Sequence, residues 1–145
     1  SSNNENFGIF SFDLNNLKKI NDNMGHTYGD DLISGFARIL KETFEKEAVV
    51  GRMGGDEFIV IIRSDDGRID YETFRKKLQH VIDEYNHKES RFKYSVACGY
   101  ADSTEAGDNN GNVDARQIYS MADDRMYVHK RKIKEKIKQE KSHNE

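Results

Sequence analysis

A chain of 145 residues with a net charge of −3, 35% apolar and 34% charged side chains has room for one domain with its own core; its apolar residues fall in periodic blocks, which excludes a disordered segment. No apolar run approaches the ~20 residues of a membrane span, and no signal peptide is visible at the N-terminus. The single cysteine, Cys98, cannot form an internal disulfide and lies in an apolar run, so it reads as a small buried hydrophobe with no call for an oxidising compartment.

The first element is a short aromatic strand, Phe7 to Phe12, ending at Asp13. Leu17, Ile20 and Met24 recur at spacings of three and four, a short helix closed by Gly25. From Asp30 to Glu47 an amphipathic helix turns Leu32, Ile33, Phe36, Ile39, Leu40 and Phe44 to one side. It is expected to start near Thr27, whose hydroxyl could cap it. Strands at 48–51 and 57–63 flank the turn Met53-Gly54-Gly55-Asp56 and form a hairpin. A polar loop at 64–68 leads to a helix from Asp70 to His87, with Phe74, Leu78, Val81, Ile82 and Tyr85 inward. A strand from Phe92 to Ala101 follows, then a mobile Gly/Asn/Asp-rich loop at 102–114. The last helix, from Ala115 to about Gln139, faces the core with Ile118, Met121, Ala122 and Tyr127. Residues 128–145 form a basic helix end and tail. Between Val128 and Lys141 seven Lys/Arg stand against two Glu, and the interleaved acids mark a solvated helix end rather than a nucleic-acid surface. The order strand, helix, helix, hairpin, helix, strand, helix implies an α+β fold, a mostly antiparallel sheet with packed helices, near the ferredoxin-like arrangement.

Three acids sit at element ends: Asp13 after the first strand, Asp56 and Glu57 at the hairpin turn. If the first strand lies beside the hairpin they converge. Like charges gathered together need a cation, and a hard one such as Mg²⁺ takes carboxylate and carbonyl oxygens together with substrate phosphates. Gly54 and Gly55 would let a phosphate or base approach the backbone. The alternative from spacing alone is a surface turn with exposed acids. There is no P-loop, no zinc spacing among the histidines, and no local Ser/His/Asp or Cys/His signature. The stretch Asp108 to Asp114 lacks the glycine and glutamate of an EF-hand.

Gly54-Gly55-Asp56-Glu57-Phe58 spells the motif of the GGDEF family, the diguanylate cyclases of bacteria. Upstream, Asp13, Leu17, Lys18, Asn21, Asp22, Gly25, His26, Gly29 and Asp30 resemble its D-x-x-x-[FL]-K-x-x-N-D-x-x-G-H-x-x-G-D pattern. Tyr94 to Gly99 is similar to its S-x-G strand, and Ala122, Asp123, Met126, Tyr127 and Lys130 to its A-D-x-x-[LM]-Y-x-x-K helix. The resemblance covers most of the chain in the right order.

The resemblance implies a nucleotidyl cyclase palm-like fold and an enzyme that condenses two GTP into cyclic di-GMP, releasing two pyrophosphates. Asp13 and Asp56 would hold Mg²⁺ (or Mn²⁺) with the Leu14 carbonyl. Glu57 would be a further acid at the metal and help deprotonate the 3′-hydroxyl. Asn21 and Asp30 would read guanine, with Gly55 beside the substrate, and Lys18 and Lys130 would meet phosphates. Catalysis would need a homodimer, and no nucleic-acid partner is implied. The alternative is a non-catalytic GTP-binding regulatory domain of a larger signalling protein. The retained Asp56 and Glu57 favour catalysis, and the retained Asp30 favours guanine over a mixed guanine–adenine product.

Three departures stand out. The inhibitory R-x-x-D motif falls on Glu45 to Ala48, where neither Arg nor Asp is present, so no tight inhibitory product site of that type is expected. After Lys130 the family's x-x-G-R-N becomes Arg131-Lys132-Ile133-Lys134; the missing glycine implies a helix that runs on, and Lys134 in place of Arg loses bidentate geometry. The opening D-x-L-T-G-L-x-N-R segment is absent, which implies a single domain over 1–145 cut from a longer cytoplasmic or membrane-tethered protein with a sensor or dimerisation module.

Overall fold

A computed structural model describes residues 6–44, 48–65 and 69–144. Its strands are β1 (Asn6–Leu14), β2 (Ala48–Gly54), β3 (Glu57–Ser64) and β4 (Val96–Asp102); its helices are α1 (Leu17–Met24), α2 (His26–Phe44), α3 (Tyr71–Lys88) and α4 (Ala115–His143). They form one sheet in the order β2-β3-β1-β4, every pair antiparallel. This is the expected α+β fold with the ferredoxin-like strand order. Glu45, Lys46 and Glu47, where the R-x-x-D motif would fall, lie outside the described residues, as does most of the polar loop at 64–68.

β1 is central and covered on both faces, so its alternation separates two cores. Phe10, Phe12 and Leu14 join Phe36, Ile39, Leu40, Phe44, Leu78 and Ile82 under α2 and α3. Ile9 joins Ala101, Ile118 and Ala122 under α4. Ser11 and Asp13 share that second face and are buried, so each needs a polar partner. Ser11 Oγ donates to Asp123 Oδ1 at 2.9 Å, and Lys130 Nζ donates to Asp13 Oδ2 at 3.0 Å.

Several boundaries and one helix face differ from expectation. α2 begins at His26, so Thr27 lies inside its first turn. Gly25, at φ 93°, ends α1 and opens α2 directly, and the Gly29 N–H reaches the Gly25 carbonyl, which leaves no separate capping position. In the hairpin, Met53 and Gly54 belong to β2, with a register shift between Arg52 and Gly54. The turn itself is Gly55-Asp56, with Gly55 at φ 47°, a conformation suited to glycine. β4 starts at Val96 because its partner ends at Leu14. Phe92 and Tyr94 are buried, but the Tyr94 backbone is held by the Asn86 carboxamide at 2.6 and 2.9 Å. On α4, Met126 is fully buried whereas Tyr127 is 46% exposed. Steps of four from Ile118 through Ala122 lead to Met126, and Tyr127 lies about 100° further round.

The loop after α3 is anchored by Arg91. Its guanidinium lies 5.1 Å from both the Tyr28 and Phe92 rings and bonds Asp31 at 2.6 Å and Glu89 at 2.7 Å. The bonds from Arg91 to Glu89 hold the Glu89 carboxyl down at about 2. Arg91→Ala is expected to lower the thermal midpoint by about 3–6 °C at neutral pH, with Lys restoring only part. Glu89 is a depressed acid, so its contribution is complete above its ordinary value of 4.5 and lost as pH falls through about 2. The gap between wild type and variant should therefore narrow below pH 4.5. Melts by circular dichroism across that range check this; a gap constant with pH would sink it.

Candidate active site

The pairing of β1 with β3 sets Asp13 directly opposite Glu57. The next bond along, from the Leu14 N–H to the Asp56 carbonyl at 2.8 Å, ties the hairpin turn to the end of β1. The three acid-bearing positions thus share one end of the sheet. A cleft of about 610 Å³ opens there. Among the residues anticipated for the site, Asp13, Leu14, Asp56, Lys18, Lys130 and Lys134 line it; Lys19, Ile133 and Ile137 join them. α4 continues unbroken through Ile133 to His143, and this carries Lys134 and Ile137 over the cleft.

Asp13 is the electrostatic centre. Burial raises its pKa and nearby Asp56 adds to this, against the opposing pull of Lys130. Burial alone would lower the Lys130 ammonium, but its bond to Asp13 and the charges of Asp13 and Asp56 together outweigh that and the net shift is upward, so the lysine stays charged. Asp13 Oδ1 is buried and has no hydrogen-bond partner. An orphaned carboxylate oxygen beside a second acid is a donor pair suited to a hard divalent cation. Among the described residues no three His, Cys, Asp or Glu side chains are already gathered to hold one.

Glu57 is bonded to α4. It does not line the cleft; its Oε1 accepts a short hydrogen bond from the Tyr119 hydroxyl. Burial raises its pKa, the Tyr119 bond lowers it, and neighbouring Asp123 raises it again. Asn21 and Asp30 also stand outside the cleft lining. The Asn21 carboxamide lies against Gly29, where an added Cβ would come within 1.8 Å of Oδ1, and Asp30 is exposed on α2. Gly55 is exposed at the turn beside Asp56.

Sequence reasoning passed over Tyr119 and the role of Asp123. A signal existed: Tyr119, Asp123 and Lys130 follow steps of four and seven along α4, a polar stripe on the side that faces Ser11, Asp13 and Glu57.

The family described as "Diguanylate cyclase, GGDEF domain" matches residues 1–136. Curated relatives include the diguanylate cyclase DgcS of Shewanella oneidensis, 29% identical over 82% of this chain and 37% of its own length. Another is the probable diguanylate cyclase DgcJ of Escherichia coli, 33% identical over 84% of this chain and 23% of its own. The chain thus spans well under half the length of these relatives. Among solved structures, a microbial GGDEF domain studied with cyclic di-GMP is 28% identical, with TM-score 0.67 over 87% of this chain and 73% of that one. The active GGEEF domain of a Vibrio cholerae diguanylate cyclase shares the fold at 24% identity, with TM-score 0.70 over 88% and 78%.

Proposed function

The chain belongs to the GGDEF-domain family, and we propose on that premise that it is a diguanylate cyclase domain, joining two GTP into cyclic di-GMP and two pyrophosphates. The observation that carries this reading is the buried, partnerless Asp13 Oδ1 in a cleft shared with Asp56 and lined by Lys18, Lys19, Lys130 and Lys134: a cation position beside a phosphate position.

In this reading Asp13 and Asp56 would hold Mg²⁺ with the Leu14 carbonyl, and Glu57 would complete the set. The bound ion would make the attacking hydroxyl more acidic and offset charge developing on phosphate and leaving group. The lysines hold the triphosphate in line. Asp30 accepts from guanine N1–H and its amino group while Asn21 donates and accepts beside it. The 3′-oxygen of one GTP attacks the α-phosphorus of the other, and its proton passes to Glu57. The bond to the β-phosphate breaks and pyrophosphate leaves with the electron pair. Repetition from the second GTP closes the ring. Each domain holds one nucleotide, so two copies face each other about a two-fold axis.

The engagement of Glu57 by Tyr119 favours a second reading, a domain that binds GTP without turning it over. Incubating a dimerised protein with GTP and Mg²⁺ and identifying products by mass separates the two. Cyclic di-GMP from the intact protein and none from Asp56→Ala/Glu57→Ala is the expected result; GTP binding without product overturns the cyclase reading.

A further inference from the structure

Asp13 and Glu57 are opposite residues on antiparallel strands, which sets their Cβ atoms only about 5 Å apart. Without a cation between them, a buried and a partly buried carboxylate at that spacing repel. α4 separates them. Lys130 bonds Asp13, and the Tyr119 hydroxyl bonds Glu57 Oε1. The two α4 residues are three turns apart, about 16 Å along the helix, so the acids are drawn in opposite directions. Asp123 stands between them, held by Ser11 Oγ at 2.9 Å, and is close enough to Glu57 to press on its charge. Glu57 is thereby kept from the cleft that Asp13 and Asp56 line, and no three acids are gathered for an ion among the described residues.

We propose that Tyr119 is a positioning residue that holds Glu57 off the cation site, so that its hydroxyl and the divalent ion compete for one carboxylate. This rests on the reading of Asp13, Asp56 and Glu57 as that site. To join Asp13 and Asp56 at a bound ion, Glu57 would have to give up its bond from Tyr119 and turn toward Asp13, and without the ion it would return to the Tyr119 hydroxyl. The Tyr119 ring packs with Ile9, Ala101, Ile118 and Ala122, so phenylalanine keeps the packing and removes only the competing donor.

The test is a Mn²⁺ titration of the nucleotide-free protein followed by electron paramagnetic resonance. Tyr119→Phe is expected to bind Mn²⁺ about three- to tenfold more tightly than wild type, the equivalent of one hydrogen bond. That gain should vanish when both proteins also carry Glu57→Gln. Unchanged or weaker binding by Tyr119→Phe, or a gain that survives Glu57→Gln, overturns the proposal. Asp13→Asn serves as the arm for the underlying reading. If it binds Mn²⁺ as wild type does, the cation site itself falls. If it loses Mn²⁺ while Tyr119→Phe matches wild type, only the role of Tyr119 falls.

Discussion

Asp13→Asn is expected to slow the proposed formation of the cyclic dinucleotide by at least about a hundredfold, since a single missing electrostatic contact to a transition state commonly removes that much. The thermal midpoint should move by no more than about 3 °C. The two effects separate because the residue plays two unequal parts. In the ion-free protein Asp13 is a buried carboxylate whose charge is opposed by burial and by Asp56 and supported by Lys130. Asparagine has the same shape and removes a costly charge along with a favourable ion pair, and such exchanges nearly cancel. Lys130, a quarter exposed, can turn its ammonium to solvent. With an ion bound the loss would not be offset, because an amide oxygen is a weaker ligand for a hard cation than the buried carboxylate Oδ1. Cation affinity of the wild type should also rise with pH beyond the ordinary aspartate value of 3.8, since the raised pKa means a proton must leave before an ion enters. Product mass spectrometry and thermal melts of the two proteins decide the matter; a variant within a few-fold of wild-type turnover would remove Asp13 from the reaction.

What could be read in advance divides along physical lines. Alternation and helical spacing act locally, so β1, β3, α1 and α3 were legible within a residue or two, while β2 runs three residues past its expected end. The convergence of Asp13 with Asp56 and Glu57 followed from one conditional step, that β1 lies beside the hairpin, and the register meets that condition. The misplaced boundaries were set by tertiary partners. Asn86 takes the backbone of Tyr94 out of the ladder, and a glycine shared by α1 and α2 displaces the expected cap. Tyr119 shows the deeper limit. A tyrosine one position after a buried isoleucine looks like ordinary helix periphery. Only the approach of α4 to β3 gives its hydroxyl a carboxylate to hold. Lys134 was doubtful because glycine was missing upstream, yet the same absence lets α4 run on and carry Lys134 along the cleft.

That approach of α4 depends on Gly99, and Gly99→Ala is expected to cost about 3 kcal/mol or more, a fall of roughly 6–12 °C in thermal midpoint. A Cβ built there would stand 2.0 Å from the Ala122 carbonyl oxygen and 2.3 Å from the Met126 nitrogen. These are backbone atoms in mid-helix, so no rotamer change relieves the overlap; the helix must lift from β4. Lifting it opens the contact of Ile118 and Ala122 with Ile9 and Ala101. It also draws Tyr119, Asp123 and Lys130 away from Glu57, Ser11 and Asp13, so cation binding should weaken along with stability, unlike in Tyr119→Phe. Gly107→Ala is the control, since its added Cβ meets nothing nearer than 3.5 Å and should change stability by less than about 0.5 kcal/mol. Denaturant unfolding of both variants beside wild type measures the contrast. Equal, small losses in the two would mean that α4 does not press on β4 through this glycine, and the α4 partners of Asp13 and Glu57 would then lack the rigid support on which their separation depends.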